Sequence, residues 1–307
     1  MRDLVRLLTD HPRLTALLGA LSISFSGILY KLSEVSPETG TFFRAFYGLP
    51  ILFLAAFVER RARGPLPSSG RRWAAFAGIL FAADLLTWHH SIAYIGTGLA
   101  IVVSNLQVVV VAVLAWLLFG ERPSTRTLIA LPIILAGIVL IAGVLGGESY
   151  GADPVLGVFL GILTAITYGG YLIVIRRVGR RHAAEPVAIS TTSTLVVALV
   201  VGLALGTLDF TPGPQSTMYL ILLGITAQSL GYLFISLSLP RLPAVVTSII
   251  LLAQPVLAVL LAMALINERP SAFQLVGVAM VVAGIALATI PLAALRSRSR
   301  GRRATEP

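Results

Sequence analysis

The sequence predicts an all-α integral membrane protein of ten transmembrane helices, arranged as two inverted five-helix repeats. Three observations lead there. Of the 307 residues, 57% are hydrophobic and 12% charged, against roughly 45–50% and about 25% in soluble domains. A mean hydropathy of +0.92 leaves too little polar surface to coat a water-soluble globule. Apolar runs of about 20 residues recur along nearly the whole chain, the length a helix needs to cross a ~30 Å hydrocarbon core. Finally, the motif that ends the fourth run returns at the end of the ninth, 147 residues later.

The runs are, in order, Arg13–Tyr30, Glu38–Val58, Trp73–Tyr94, Thr97–Phe119, Arg126–Val144, Pro154–Ile175, Pro186–Leu205, Thr217–Leu239, Ala244–Ile266 and Ala272–Leu292. The first carries Ala20-Leu21-Ser22, a small-x-small pattern, but stays apolar to Tyr30 and is expected to remain uncleaved. Connections are short and rich in Gly, Pro and charge. The longest, Glu59–Arg72, holds Arg63-Gly64-Pro65-Leu66-Pro67-Ser68-Ser69-Gly70, so no extramembrane domain is expected.

Basic residues give the orientation, because Lys and Arg are retained on the cytoplasmic side. With the N-terminus inside, 20 of the 23 fall in cytoplasmic segments. Two, Lys31 and Arg269, fall outside, and Arg44 lies within a span. Both termini are therefore expected in the cytoplasm, and the protein in the cell (inner or plasma) membrane. The net charge of +10 reads as membrane topology, and no nucleic-acid partner is expected.

Gly120-Glu121-Arg122-Pro123-Ser124 and Asn267-Glu268-Arg269-Pro270-Ser271 share the offset of 147, which also aligns Gln107 with Gln254 and Ala136-Gly137-Ile138 with Ala283-Gly284-Ile285. This divides the chain into a first repeat, 1–147, and a second, 148–307, with its basic tail. Five spans is an odd number, so the halves enter the membrane with opposite orientation. That is the architecture of many secondary transporters, whose substrate site lies near the midplane between the halves.

These residues resemble EamA-type members of the drug/metabolite transporter superfamily. The resemblance is carried by Ser104-Asn105-Leu106-Gln107 through Ala115-Trp116-Leu117-Leu118-Phe119-Gly120-Glu121-Arg122-Pro123, by Gln254-Pro255 through Asn267-Glu268-Arg269-Pro270, by Tyr30-Lys31 with Phe43-Arg44-Ala45, and by Tyr94 through Ala100. It implies a ten-helix carrier of small metabolites, often an exporter of amino acids or drugs. Pseudo-symmetry is broken where Ala93-Tyr94 faces Pro240-Arg241 as its counterpart.

Asp84 lies near the bilayer centre, about 16 Å along the third span. Carboxylates at that depth turn toward a cavity or a partner, which makes Asp84 a candidate for substrate binding and proton coupling, or else a packing group bonded to a neighbouring helix. Thr87, Trp88 and Ser91 share its face. Of the pair His89-His90, His90 aligns with Thr87 and Tyr94 and is the candidate proton carrier. Arg44 suits a substrate carboxylate, pairing with Asp84, or a reach to the headgroups. Gln107 and Gln254 suit a zwitterion or a helix bridge, and Ser104 shares the face of Gln107.

Tyr168 and Gln228 head further polar groups at similar depth. Pro255, Pro50 and Pro132 offer kinks. Glu121 and Glu268 are expected to cap helix ends. No Cys is present, which excludes disulfides, thiolate metal sites and Cys nucleophiles. Neither a metal site nor a cofactor is expected. The chain lacks G-x-x-x-x-G-K-[ST], H-E-x-x-H and G-x-S-x-G, so primary active transport and intramembrane proteolysis lose their motifs, and no enzyme is expected. The expected function is alternating-access transport of a small molecule, most readily export of amino acids. A drug or nucleoside exporter, and a channel or lipid-flippase subunit, are the competing readings.

Overall fold

A computed structural model describes residues 10–120, 123–143, 149–178, 182–238, 242 and 244–289. Their secondary structure is helical throughout, without strands among the described residues. The helices are α1 (Pro12–Ser24), α2 (Ser26–Ser33), α3 (Pro37–Arg63), α4 (Ser68–Ile95), α5 (Thr97–Ser104), α6 (Gln107–Phe119) and α7 (Thr125–Ile141). They continue as α8 (Pro154–Val178), α9 (Ala184–Leu205), α10 (Pro214–Leu223), a π-helical segment (Gly224–Gly231), α11 (Tyr232–Ser238), α12 (Ala244–Leu265) and α13 (Ala272–Thr289).

Local chemistry sets the boundaries. Ser36 caps α3, its hydroxyl accepting from Thr39 N–H at 3.2 Å, with Pro37 and Glu38 in the first turn, where a missing N–H and a negative charge are both favoured. Ser124 caps α7 in the same way through Thr127 N–H. Gly96, at φ 82°, lets α4 give way to α5 within one residue.

Among the described residues, seven stretches are long and apolar enough to cross a membrane: Pro12–Ser33, Pro37–Arg63, Thr97–Leu118, Pro154–Val178, Ala184–Leu205, Pro214–Ile235 and Ala272–Thr289. The apolar helices Thr125–Ile141 and Leu252–Leu265 are shorter. α4 has 28 residues but carries Arg71 and Arg72 at its start and Asp84, His89 and His90 further along.

The prolines expected to kink their helices do not interrupt them. Pro50, Pro132 and Pro255 all sit inside continuous helices. One missing N–H costs a single rung of the ladder, which neighbouring rungs bridge when the helix is packed. The breaks fall instead at Phe25, at Asn105–Leu106 and in the π-helical segment. At the second, Ser104 Oγ and Asn105 Nδ2 both donate to Ile101 O, at 2.9 and 2.7 Å, diverting a helix carbonyl to side chains.

In packing, α4 lies along α8, α7 along α13, and α9 against both α3 and α4. α5 meets α12, while α1 meets the π-helical segment and α11. Small residues permit close crossings, since helices in lipid associate through close backbone approach more than through a hydrophobic drive. A Cβ built on Gly137 would stand 2.7 Å from Gly277 O, and one on Gly277 2.6 Å from Gly137 O. The buried centre gathers Phe81, Leu85, Trp88 and Ile92 of α4 with Leu99 of α5 and Leu220 and Leu223 of α10.

Candidate functional site

The polar interior is assembled on α3, α4, α8, α9 and the π-helical segment. Arg44 of α3 is 3% exposed. Its Nε donates to Gln228 Oε1 at 3.0 Å, and Gln228 Nε2 donates in turn to Thr191 Oγ1 at 3.0 Å. The Arg44 guanidinium carbon lies 5.7 Å from the centre of the Trp88 ring, and its Nη1 is buried without a hydrogen-bond partner among the described residues. The π-helical segment sets Gln228 on Arg44: Ser229 Oγ donates to Gly48 O at 2.9 Å, one turn beyond Arg44 on α3, and to Gly224 O at 3.0 Å. π-helical turns recur at functional sites.

Asp84 is 6% exposed. Arg44 acts on it electrostatically, yet among the described residues its carboxylate forms no ion pair or hydrogen bond. Arg44 and Asp84 thus stand in one interior without pairing. Burying a guanidinium costs several kcal/mol even after relaxation. One neutral amide and a cation–π contact, worth about 0.5–2 kcal/mol, do not offset that. Aromatic rings complete it. Phe81 stacks on Tyr171 with ring centres 4.7 Å apart, meets Tyr232 edge-on at 5.8 Å, and Tyr168 lies 5.5 Å from Tyr171.

Of the sequence-predicted residues, Arg44, Asp84, Trp88, Tyr168 and Gln228 belong to this interior. The rest of the Asp84 face joins helices: Thr87 Oγ1 lies 2.8 Å from Thr164 Oγ1, and Ser91 Oγ donates to Gly157 O at 2.7 Å, both across to α8. His90 Nε2 lies 3.2 Å from Glu38 Oε1, pairing α4 with the start of α3. His89 is the residue turned inward. Its ring stacks on Tyr30 at 3.8 Å, and Nδ1 lies 2.9 Å from Thr41 Oγ1. Gln107 opens α6 directly after the Asn105–Leu106 break, and Gln254 lies within α12. Both are half-buried, and neither side chain is hydrogen-bonded among the described residues. Ser24 Oγ instead reaches Gln254 O at 3.3 Å, and Ser104 bonds within its own helix.

Carboxylates clamp the ends of the bundle. Glu268 accepts from the N–H groups of Thr97 and Gly98, so it caps α5, a helix distant in sequence. Glu121 lies outside the described residues. Sequence reasoning missed the equivalent clamp at Glu59, which accepts from Ala183 N (2.6 Å), Ala184 N (2.9 Å) and Glu185 N (2.9 Å) and so caps α9. Orphan N–H groups and the helix dipole both favour an anion there. The available signal was an acidic residue standing alone before a run of arginines.

Long apolar helices enclosing a small polar interior with the buried Arg44 and Asp84 define a multi-pass membrane protein. The chain belongs to the EamA-like transporter family, whose model matches residues 13–143 and 155–290, and is thus a transporter of the drug/metabolite superfamily. It is 30% identical over 217 residues to an uncharacterized transporter of Synechocystis sp., covering 68% of this chain and 64% of that one. It is 29% identical over 266 residues to an uncharacterized protein of Pseudomonas aeruginosa, covering 85% and 87%. An uncharacterized transporter of Archaeoglobus fulgidus is 25% identical over 288 residues, covering 90% and 95%. A solved structure titled only as the crystal structure of a protein shares the fold with a TM-score of 0.62 at 20% identity, over 91% of this chain and 98% of that one.

Proposed function

We propose that the protein is a secondary transporter that works by alternating access and exports amino acids or closely related zwitterions across the cytoplasmic membrane. The observation that carries this reading is the buried Arg44, whose Nη1 has no partner among the described residues, in the same interior as the buried Asp84. A substrate carboxylate on Arg44 and an ammonium on Asp84 neutralise both charges, and the Phe81, Tyr168, Tyr171 and Tyr232 rings suit an apolar or aromatic side chain. Proton coupling through Asp84 is part of the proposal, with Gln107 and Gln254 as symmetry-related contacts to the substrate.

Alternating access needs two halves that rock about a shared site. The proposed ten spans are the seven long stretches together with α4, α7 and α12. Exchanging each span with the one five places later preserves the packing. The α4–α8 pair maps onto the π-helical segment and α11 against α1, while α3–α9, α7–α13 and α5–α12 map onto themselves. Shifting by 147 residues turns the Gly137–Gly277 crossing into Gly284 against Ala130 O, where a Cβ on Gly284 would stand 3.3 Å away. The two stretches of the family match, 13–143 and 155–290, fit the same division. The basic-residue count supports cytoplasmic termini.

The test is counterflow in proteoliposomes against a panel of amino acids, nucleosides and cationic drugs. Saturable counterflow of an amino acid supports the proposal. Counterflow only of nucleosides or drugs moves the substrate class, and unsaturable flux without counterflow makes the protein a channel.

A further inference from the structure

A cavity of about 380 Å³ opens between α3, α4 and α9, beside Arg60 and Arg71. It lies some 24 Å along α3 from Arg44 at 1.5 Å per residue, well apart from the substrate site. Its apolar wall includes Phe53, Phe57 and Ile189, and its polar end is Arg60, Arg71 and Glu185. Glu185 is buried and already engaged. One oxygen accepts from Leu66 N–H at 2.9 Å, and the other lies 3.7 Å from Arg60 Nε and 3.6 Å from Arg71 Nε. One carboxylate therefore faces two guanidinium groups. Both arginines approach it through Nε, and neither donates a hydrogen bond among the described residues. Their side chains remain 51% and 44% exposed.

The apolar half of the cavity is equally specific. Phe53 and Phe57 present exposed rings on α3, a helix long and apolar enough to cross a membrane, so their outer faces meet acyl chains. Phe53 stands about 10 Å along the helix from Arg60. Arg61, over the Phe57 ring at 4.4 Å, adds positive charge at the same level. Surplus positive charge at one end and an aromatic groove running about 10 Å into the hydrocarbon match one chemistry, a phosphodiester headgroup with the upper part of its acyl chain.

We propose that this cavity is a binding site for an anionic phospholipid, the phosphate taken by Arg60 and Arg71 and the chain laid against Phe53, Phe57 and Ile189. From the proposed function it takes only the topology, which sets this end of α3 at the cytoplasmic leaflet. It does not depend on what is transported.

The test titrates the purified full-length protein in detergent with phosphatidylglycerol, phosphatidylcholine and inorganic phosphate, reading the thermal midpoint and bound lipid by native mass spectrometry. Phosphatidylglycerol should bind and raise the midpoint by several degrees, and the other two should not. Arg60→Gln and Arg71→Gln should each weaken that binding about tenfold. Ile189→Trp, which fills the groove and leaves the Glu185 contacts intact, should do the same, so the test stands even if an arginine variant folds poorly. Arg176→Gln/Arg177→Gln, which removes charge elsewhere, should leave it unchanged. Equal response to phosphatidylcholine, an equal response to free phosphate, an equal loss in the Arg176/Arg177 variant, or undiminished binding in Ile189→Trp overturns the proposal. Counterflow measured on the same preparations separates the two readings: lipid binding without counterflow spares this site and removes the transport assignment, and the converse removes only the site.

Discussion

Arg44 and Gln228 stand 184 residues apart in the chain and 3.0 Å apart in space, joined by a hydrogen bond from Nε to Oε1. The bond ties the second membrane-crossing helix to the π-helical segment and leaves Nη1 of the guanidinium buried without a partner among the described residues. Arg44 is thus held in place by a neutral group.

That arrangement predicts a graded response. Arg44→Gln should abolish transport while folded protein persists in the membrane. Gln228→Leu removes a hydrogen bond to a charged group, worth about 1.5–3 kcal/mol, and should raise the half-saturating substrate concentration roughly tenfold to a hundredfold. Transport kinetics in proteoliposomes, with yield by size-exclusion chromatography, decide it. Unchanged kinetics in Gln228→Leu would show that the bond positions nothing.

Asp84 is predicted to be the main ionisable element of the cycle. Asp84→Asn should remove the pH dependence of net transport and permit exchange, because exchange needs no return of an empty, deprotonated carrier. Uptake driven by a pH gradient, compared with counterflow on the same protein, is the measurement. Wild-type pH dependence in the variant removes Asp84 from the coupling.

Replacing Gln107 or Gln254 by Leu should abolish transport without loss of folded protein, as expected of a symmetry-related pair at the substrate site. The double variant is the sharper case. Normal transport by it reduces both residues to packing.

The topology prediction uses the absence of native cysteine. An impermeant thiol reagent added outside intact cells should label Ser149→Cys and Gly213→Cys and spare Ser69→Cys. Strong outside labelling at Ser69→Cys contradicts the proposed orientation.

Glu59→Ala should lower the thermal midpoint of the solubilised protein by several degrees. It strips the acceptor from three N–H groups at the start of α9, and losing a helix cap costs about 0.5–2 kcal/mol. An unchanged midpoint would mean that water replaces the carboxylate at no cost.

Much of this was legible in the sequence, because lipid imposes length and polarity on every crossing helix. The depth of Asp84, Arg44 and Gln228 could be counted from the ends of their runs. Their neighbourhood could not, since it depends on which helix turns toward which. His89 and His90 show the limit: adjacent residues diverge by about 100°, and only the packing of α4 decides that His89 meets Tyr30 while His90 meets Glu38. The break at Asn105–Leu106 was not legible, because competing side chains at Ser104 and Asn105 do not announce themselves by pattern. The Glu59 and Glu185 clamps were hidden in a connection that reads as uniformly basic.

The π-helical segment has a consequence of a different kind. A wide turn accommodates one residue more than an α turn, so the stretch Gly224–Gly231 fixes the rotational phase of everything after it by the number of its residues as much as by their identity. Deleting a single residue there would let the helix rewind as α with Tyr232 kept close to its present phase, whereas rewinding as α at unchanged length would rotate Tyr232 and the following residues by about 100° relative to Leu223. A chain of the same length with this segment tightened to α would thus keep every side chain of this site and lose their alignment, while the connections at the helix ends absorb changes of length with no such effect.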